Sequence, residues 1–269
     1  MAWTDDPTPP EGAAGSPHRS GRLPRPAGMH SRHHRGGHAH GPGGRGPTEI
    51  PLHHDLMAAN DQHAEAIRSL LGGHRIFAVN LMSSPGSGKT ALLEATLAAV
   101  GSRLRVAVIE GDIETCADAD RLAPFGIQVV QVNTAPFGGD CHLAAPLVES
   151  AVDKLDLRAL DVLIVENVGN LVCPAEFDIG EDAKVVLLSV TEGEDKPLKY
   201  PLMFHEAALA LVTKTDLLPH LDVDTDLIRA NMRRVNPALQ VMFLSSRTGE
   251  GLDAWLSWLA DGVARKKAH

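Results

Sequence analysis

From Arg75 onward the chain alternates between two kinds of pattern. Short, almost uninterrupted apolar runs read as strands: RIFAVNLM, RVAVIEGD, IQVVQVN, DVLIVENVG, KVVLLSVT, AALALVTKTD and LQVMFLSS. Between many of them, apolar residues recur at helical spacing, as in KTALLEATLAAV, Leu143–Leu155, Leu227–Val235 and Leu252–Leu259. Strands this apolar have no face to give to water, so they predict a sheet covered on both sides. Their alternation with helices predicts an α/β fold with a doubly wound, mostly parallel sheet. Upstream, Leu56, His63, Ile67 and Leu70, with Met57 and Leu71, fall near one face of a helix starting near Leu52 and ended by Gly72-Gly73. Residues 1–48 have no such pattern and are rich in Pro, Gly, Arg and His. With almost nothing to bury, they cannot offset the entropy of ordering and are expected to be disordered. The expected organisation is a tail over 1–48, a helix within 49–73 and a nucleotide-binding domain over 74–265.

Composition narrows the function classes. The formal charge of the 269 residues is −9, which offers no general attraction to nucleic acid or to an anionic membrane. Three cysteines, Cys116, Cys141 and Cys173, do not make a disulfide framework. No apolar stretch follows Met1 and none reaches membrane-spanning length, so the cytoplasm is the expected compartment.

The turn SSPGSGKT, Ser83 to Thr90, follows a strand and opens a helix. In that setting Ser84, Pro85, Gly86, Ser87 and Gly88 form a loop whose backbone N–H groups face phosphates. Lys89 reaches the β- and γ-phosphates and the Thr90 hydroxyl binds Mg²⁺. The usual pattern opens on Gly where this chain has Ser83. Late in the chain TKTD, with Thr213, Lys214 and Asp216, ends a strand. A carboxylate there accepts from guanine N1–H and its 2-amino group, which adenine lacks. The segment SSRTGEG, with Ser245, Ser246 and Arg247, reads either as the loop that completes a guanine pocket or as a plain β-to-α turn. Asp112 and Glu166 end two strands, where ligands sit in parallel sheets, and are expected to serve catalysis and Mg²⁺. Gly169, in Glu166-x-x-Gly169, is placed to meet the γ-phosphate. Asp118 is either a further Mg²⁺ ligand or a solvated charge. No arginine finger is evident, so slow turnover is expected.

Cys141 and His142 are adjacent, and Cys173 follows Gly169 closely. Two thiolates and an imidazole suit Zn²⁺ or Ni²⁺. The tail carries His30, His33, His34, His38 and His40, irregularly spaced among Arg and Gly. Neutral imidazoles on such a chain gather divalent metal.

Residues from about 52 to 260 resemble the HypB family of hydrogenase nickel-incorporation GTPases. The resemblance lies in NLMSSPGSGKT, IEGDIET, QVNT, CHL, ENVGNLVCPAEFDIGE, LLSVTEGEDKPLKYPLMF, TKTDLLP and NP with SSRTGEGLDAWLSWL. It implies a P-loop GTPase of the class that includes the nitrogenase iron protein and the signal-recognition GTPases. It further implies a homodimer whose metal ligands, Cys141, His142 and Cys173, lie between two nucleotide domains. The implied partners are a HypA-type nickel chaperone and the large subunit of nickel–iron hydrogenase. This chain departs from the family in having no N-terminal cysteine, a longer loop APFGGD before Cys141, and Ala144 where Asp is common. Competing readings are the urease-type accessory GTPase UreG, a P-loop small-molecule kinase, and a passive metal store.

Overall fold

The computed structural model describes residues 52–112, 121–134 and 142–268, and their side chains except those of 52–56 and 112. The tail histidines His30, His33, His34, His38 and His40, together with Cys116, Asp118 and Cys141, lie outside the described residues. Among those described, the strands are β1 (Phe77–Ser83), β2 (Val106–Asp112), β3 (Gln128–Asn133), β4 (Val162–Glu166), β5 (Ala183–Ser189), β6 (Leu209–Thr213) and β7 (Gln240–Phe243). The α-helices are α1 (Leu52–Gly73), α2 (Lys89–Val100), α3 (Ala145–Val152), α4 (Cys173–Glu176), α5 (Lys196–Lys199), α6 (Pro201–Glu206), α7 (Thr225–Val235) and α8 (Leu252–Ala268). None is long and apolar enough to cross a membrane.

The strands form one seven-stranded sheet in the order β3-β2-β4-β1-β5-β6-β7, parallel throughout. Alternate residues of each inner strand serve opposite layers, as the pleat requires. Val79, Leu81, Val108, Ile164, Leu187 and Leu211 face a core shared with Leu92, Leu93 of α2 and Trp255, Leu259 of α8. Ala78, Ile109, Leu163 and Val165 face the opposite layer, against Ile67, Leu71 of α1 and Val148, Val152 of α3. Farther along that layer, Val186, Leu188 and Val212 meet Met203, Phe204, Ile228 and Met232. Each fully buried aliphatic side chain contributes about 1.5–3 kcal/mol, so a sheet loaded on both faces holds its strand ends firmly in register.

Two details of the patterning differ. Leu70 is 39% exposed, and the buried stripe of α1 is Asn60, Ala64, Ile67 and Leu71. His63 is half-buried and pairs with Glu149 of α3 at 2.5 Å. Asn60 stands where an apolar residue is expected on that stripe because its side chain has backbone partners on two other segments. The helix α8 also runs well past Leu259, since its last turns, ARKKA, are good helix formers without apolar periodicity.

Candidate phosphate-loop and metal-segment site

Parallel strands bring their carboxyl ends to one edge of the sheet. Ser83, Asp112, Glu166 and Thr213 all end strands there. Beyond Ser83 the chain turns through Gly86 and Gly88, both with positive φ (75° and 98°), before α2 begins at Lys89. Gly88 caps α2 without a side chain, so the first N–H groups of that helix keep no competing side-chain acceptor at the cap. A cavity of about 420 Å³ opens over this turn, lined by Pro85, Gly86, Lys89, Thr90, Glu110, Arg121 and Glu166 among others.

Lys89 is 9% exposed and its Nζ donates to Ser83 Oγ at 3.0 Å. Thr90 Oγ1 donates to Glu166 Oε1 at 3.1 Å. Glu110 and Glu166 are Cα partners across β2 and β4, and both are buried. An oxygen-only cluster of a hydroxyl and carboxylates suits a hard cation such as Mg²⁺. Asp112 ends β2 level with Asn133 of β3. Gly169 packs directly on the turn: a Cβ there would lie 3.0 Å from Pro85 Cα, so any side chain would press on the turn. Arg121, a cationic lining group that no sequence motif marks, is clasped by Glu94 through two hydrogen bonds of 3.0 and 2.6 Å.

The loop after β6 is strapped to the turn. Thr213 Oγ1 donates to Ser87 O at 2.7 Å, and Lys214 Nζ donates to Gly86 O at 2.6 Å. Lys214 itself has φ 61°, which lays its stem back over the turn. Asp216 Oδ1 accepts from Ser245 Oγ at 2.6 Å, and its other oxygen lies 4.0 Å from the exposed Arg247 guanidinium. Ser245 also accepts Thr248 N–H on its hydroxyl at 3.2 Å, which shapes the loop that carries half-buried Ser246. From behind, Glu192 accepts from the hydroxyls of Ser84 and Ser87, the latter at 2.7 Å, and from Ser189 N–H at 2.9 Å. Nothing in the pattern of apolar residues marks Glu192. Glu110 had a legible signal, as an acid inside an apolar strand.

The segments bearing His142 and Cys173 hang from the same strand ends. The His142 ring stacks on Phe177, with centroids 4.0 Å apart at 24°. Cys173 opens α4 and is half-buried, and its Sγ accepts from Asn170 Nδ2 at 3.7 Å. Among the described residues no group of three or more His, Cys, Asp or Glu is assembled for a metal. The third ligand expected, Cys141, lies outside them. Asn60 of α1 joins the two segments: its Nδ2 donates to Asp178 O at 2.7 Å and its Oδ1 accepts Ala145 N–H at 2.8 Å. Past Cys173, burial pushes the Glu181 carboxyl above the ordinary range, against nearby Lys184. Burial also pushes the Asp178 carboxyl up, but Arg68, 2.6 Å away, and the Gly180 N–H outweigh it and hold it below that range.

Residues 77–243 match the family described as "CobW/HypB/UreG, nucleotide-binding domain". The chain is 50% identical over 221 residues to the hydrogenase maturation factor HypB of Azotobacter vinelandii, covering 82% of this chain and 72% of that protein. It is 47% identical over 224 residues to HypB of Escherichia coli K12, covering 83% and 76%. Its fold superposes on the crystal structure of Helicobacter pylori HypB in complex with nickel with a TM-score of 0.73, at 36% identity, over 77% of this chain and 96% of that one. Archaeoglobus fulgidus HypB gives a TM-score of 0.71 at 34% identity, over 77% and 99%.

Proposed function

The chain belongs to the HypB hydrogenase maturation factors of the CobW/HypB/UreG family, and from that membership we propose that it is a GTP-hydrolysing metallochaperone that carries nickel for a nickel–iron hydrogenase. The observation that carries the reading is the strapping of one turn to the ends of β4 and β6 and the segments that follow them: Lys214 and Thr213 on Gly86 and Ser87, Thr90 on Glu166, and Gly169 on Pro85. Such a turn is preorganised for phosphates, and a displacement of the strand ends reaches His142 and Cys173.

In this reading the N–H groups of Ser84 to Thr90 and the Lys89 ammonium hold the β- and γ-phosphates and offset charge as the γ-phosphoryl leaves. Thr90, Glu166, Asp112 and Asp118 would hold Mg²⁺, which when bound neutralises phosphate charge. Asp216, oriented by Ser245, accepts from guanine, with Ser246 and Arg247 closing the pocket. Cys141, His142 and Cys173 take nickel as cargo, or zinc, and the tail histidines gather it. A homodimer, a HypA-type chaperone, the hydrogenase large subunit as client and a cytoplasmic setting complete the proposal. The nickel in the H. pylori structure supports the cargo assignment.

The test is one nickel titration with GDP, with a GTP analogue and without nucleotide. The reading expects affinities that differ by nucleotide. Nickel binding indifferent to nucleotide favours a passive store, and equal affinity for ATP and GTP in a separate nucleotide competition favours a kinase.

A further inference from the structure

We propose that Asn167 is the positioning residue that couples the phosphate site to the segment bearing His142; this rests on the reading of the two sites given above. Asn167 follows Glu166, whose carboxylate accepts the Thr90 hydroxyl. It is 1% exposed. Its Oδ1 accepts the N–H of Leu143, the residue after His142, at 3.0 Å, and the N–H of Val168 at 2.9 Å. Its Nδ2 donates to Asn80 Oδ1 at 3.2 Å, and its own N–H to Leu81 O at 3.0 Å. The side chain is thus anchored on the central strand β1 and at the end of β4 at once.

Leu143 is gripped on a second side. Its side chain is fully buried against the end of β2, where a Cβ on Gly111 would lie 2.7 Å from Leu143 Cδ1. Gly111 precedes Asp112. The residue after His142 is therefore wedged between the residue after Glu166 and the residue before Asp112. Two positions farther on, Ala145 N–H is held by Asn60, which also holds Asp178 beyond Cys173. The strand ends cannot shift without either carrying Leu143 along or leaving a buried N–H unpaired, which is costly. A close-packed interface of this kind transmits a small displacement rather than absorbing it.

A purely structural Asn167 would have a different signature. Its loss would weaken metal binding equally in every nucleotide state. A coupling residue changes the ratio between states. The measurement uses the full-length chain and nickel, read by the thiolate-to-nickel charge-transfer absorbance, to which sites made only of histidine do not contribute. Wild type should bind nickel with affinities differing by roughly 5- to 150-fold between GDP and a GTP analogue. Asn167→Ala should still bind GDP, but its ratio should fall to within about twofold of one. Asn167→Asp keeps the acceptor for Leu143 N–H but loses the donor to Asn80 Oδ1, so its ratio should lie between those of wild type and the Ala variant. A wild-type ratio in the Ala variant overturns the assignment. A ratio of one in the wild type sinks the nucleotide–metal switch itself, a distinct failure. Should the Ala variant not fold, the Leu143 amide resonance of the wild type decides: its chemical shift should differ between GDP and the GTP analogue, and an identical shift overturns the proposal.

Discussion

Asp216 and Ser245 lie 29 positions apart in the chain and share a 2.6 Å hydrogen bond. That bond fixes the carboxylate whose proposed task is to read guanine. Asp216→Asn keeps the shape and exchanges one acceptor for a donor. It should weaken GTP by about 1–3 kcal/mol, the cost of an unpaired buried polar group, and favour xanthosine triphosphate, which offers a carbonyl at that position. Competition binding with GTP, ATP and xanthosine triphosphate checks it. Lys89 is held under the turn by Ser83. Lys89→Ala should reduce hydrolysis below detection while the fold persists, because the ammonium offsets charge that develops on the phosphoryl group. Phosphate release under saturating GTP is the measurement. At this scale the motif residues were legible, since each carries its chemistry in its own side chain. Asn60, Asn167 and Glu192 were not. Their partners are backbone groups and hydroxyls remote in sequence, and an isolated Asn or Glu reads as a surface residue.

Two elements can be altered singly. The helix α3 starts at Ala145 with Ala144 as a cap that makes no side-chain hydrogen bond. Asn60 satisfies Ala145 N–H from α1, and Leu147 N–H reaches only the carbonyl of its own turn, Ala144 O, at 3.1 Å. Ala144→Asp should raise stability by about 1 kcal/mol, read as a higher urea midpoint at constant slope. The helices α2 and α8 are tied by Trp255 Nε1, which donates to Thr96 Oγ1 at 2.9 Å in a fully buried contact. Thr96→Val keeps the volume and leaves the indole N–H unpaired. It should cost about 1–3 kcal/mol, measured by the same denaturation. Helix and strand positions followed from periodicity, yet the exposed Leu70 and the buried Asn60 did not. Periodicity identifies a face, and the neighbours decide which residue on that face has something to touch.

The molecule as a whole has a charged end opposite its phosphate edge. Asp161 bonds the Arg105 guanidinium, the Arg105 N–H and Lys267 of α8 at its far end. Arg105 above all holds the Asp161 carboxyl well below the usual range, with burial opposing and Lys267 assisting. A carboxyl depressed in the fold contributes stability above its unfolded value of about 3.9, and this is lost as pH falls below that. Asp161→Asn should therefore lower the melting temperature near neutral pH, and the two proteins should converge in acid. Melting curves from pH 7 downward check the sign. A second whole-molecule expectation concerns residues 1–47. Deleting them should remove most nickel capacity and leave GTP hydrolysis nearly intact, as metal analysis and phosphate release together would reveal. Equal nickel stoichiometry would leave the tail histidines without a role.

The sequence by itself determined the kind of sheet, the position of the glycine turn between strand and helix, and the side chains proposed to hold nucleotide and metal. Those properties are local: strands apolar on both faces, a glycine turn between strand and helix, and soft ligands side by side at Cys141-His142. Only the tertiary structure decided which of these chemistries touch. The parallel order β3-β2-β4-β1-β5-β6-β7 places the ends of β2 and β4 side by side. That adjacency puts Glu110 beside Glu166 and wedges Leu143 between Gly111 and Asn167. No spacing along the chain encodes such contacts, because they arise from the packing of strands whose order in space is not their order in sequence.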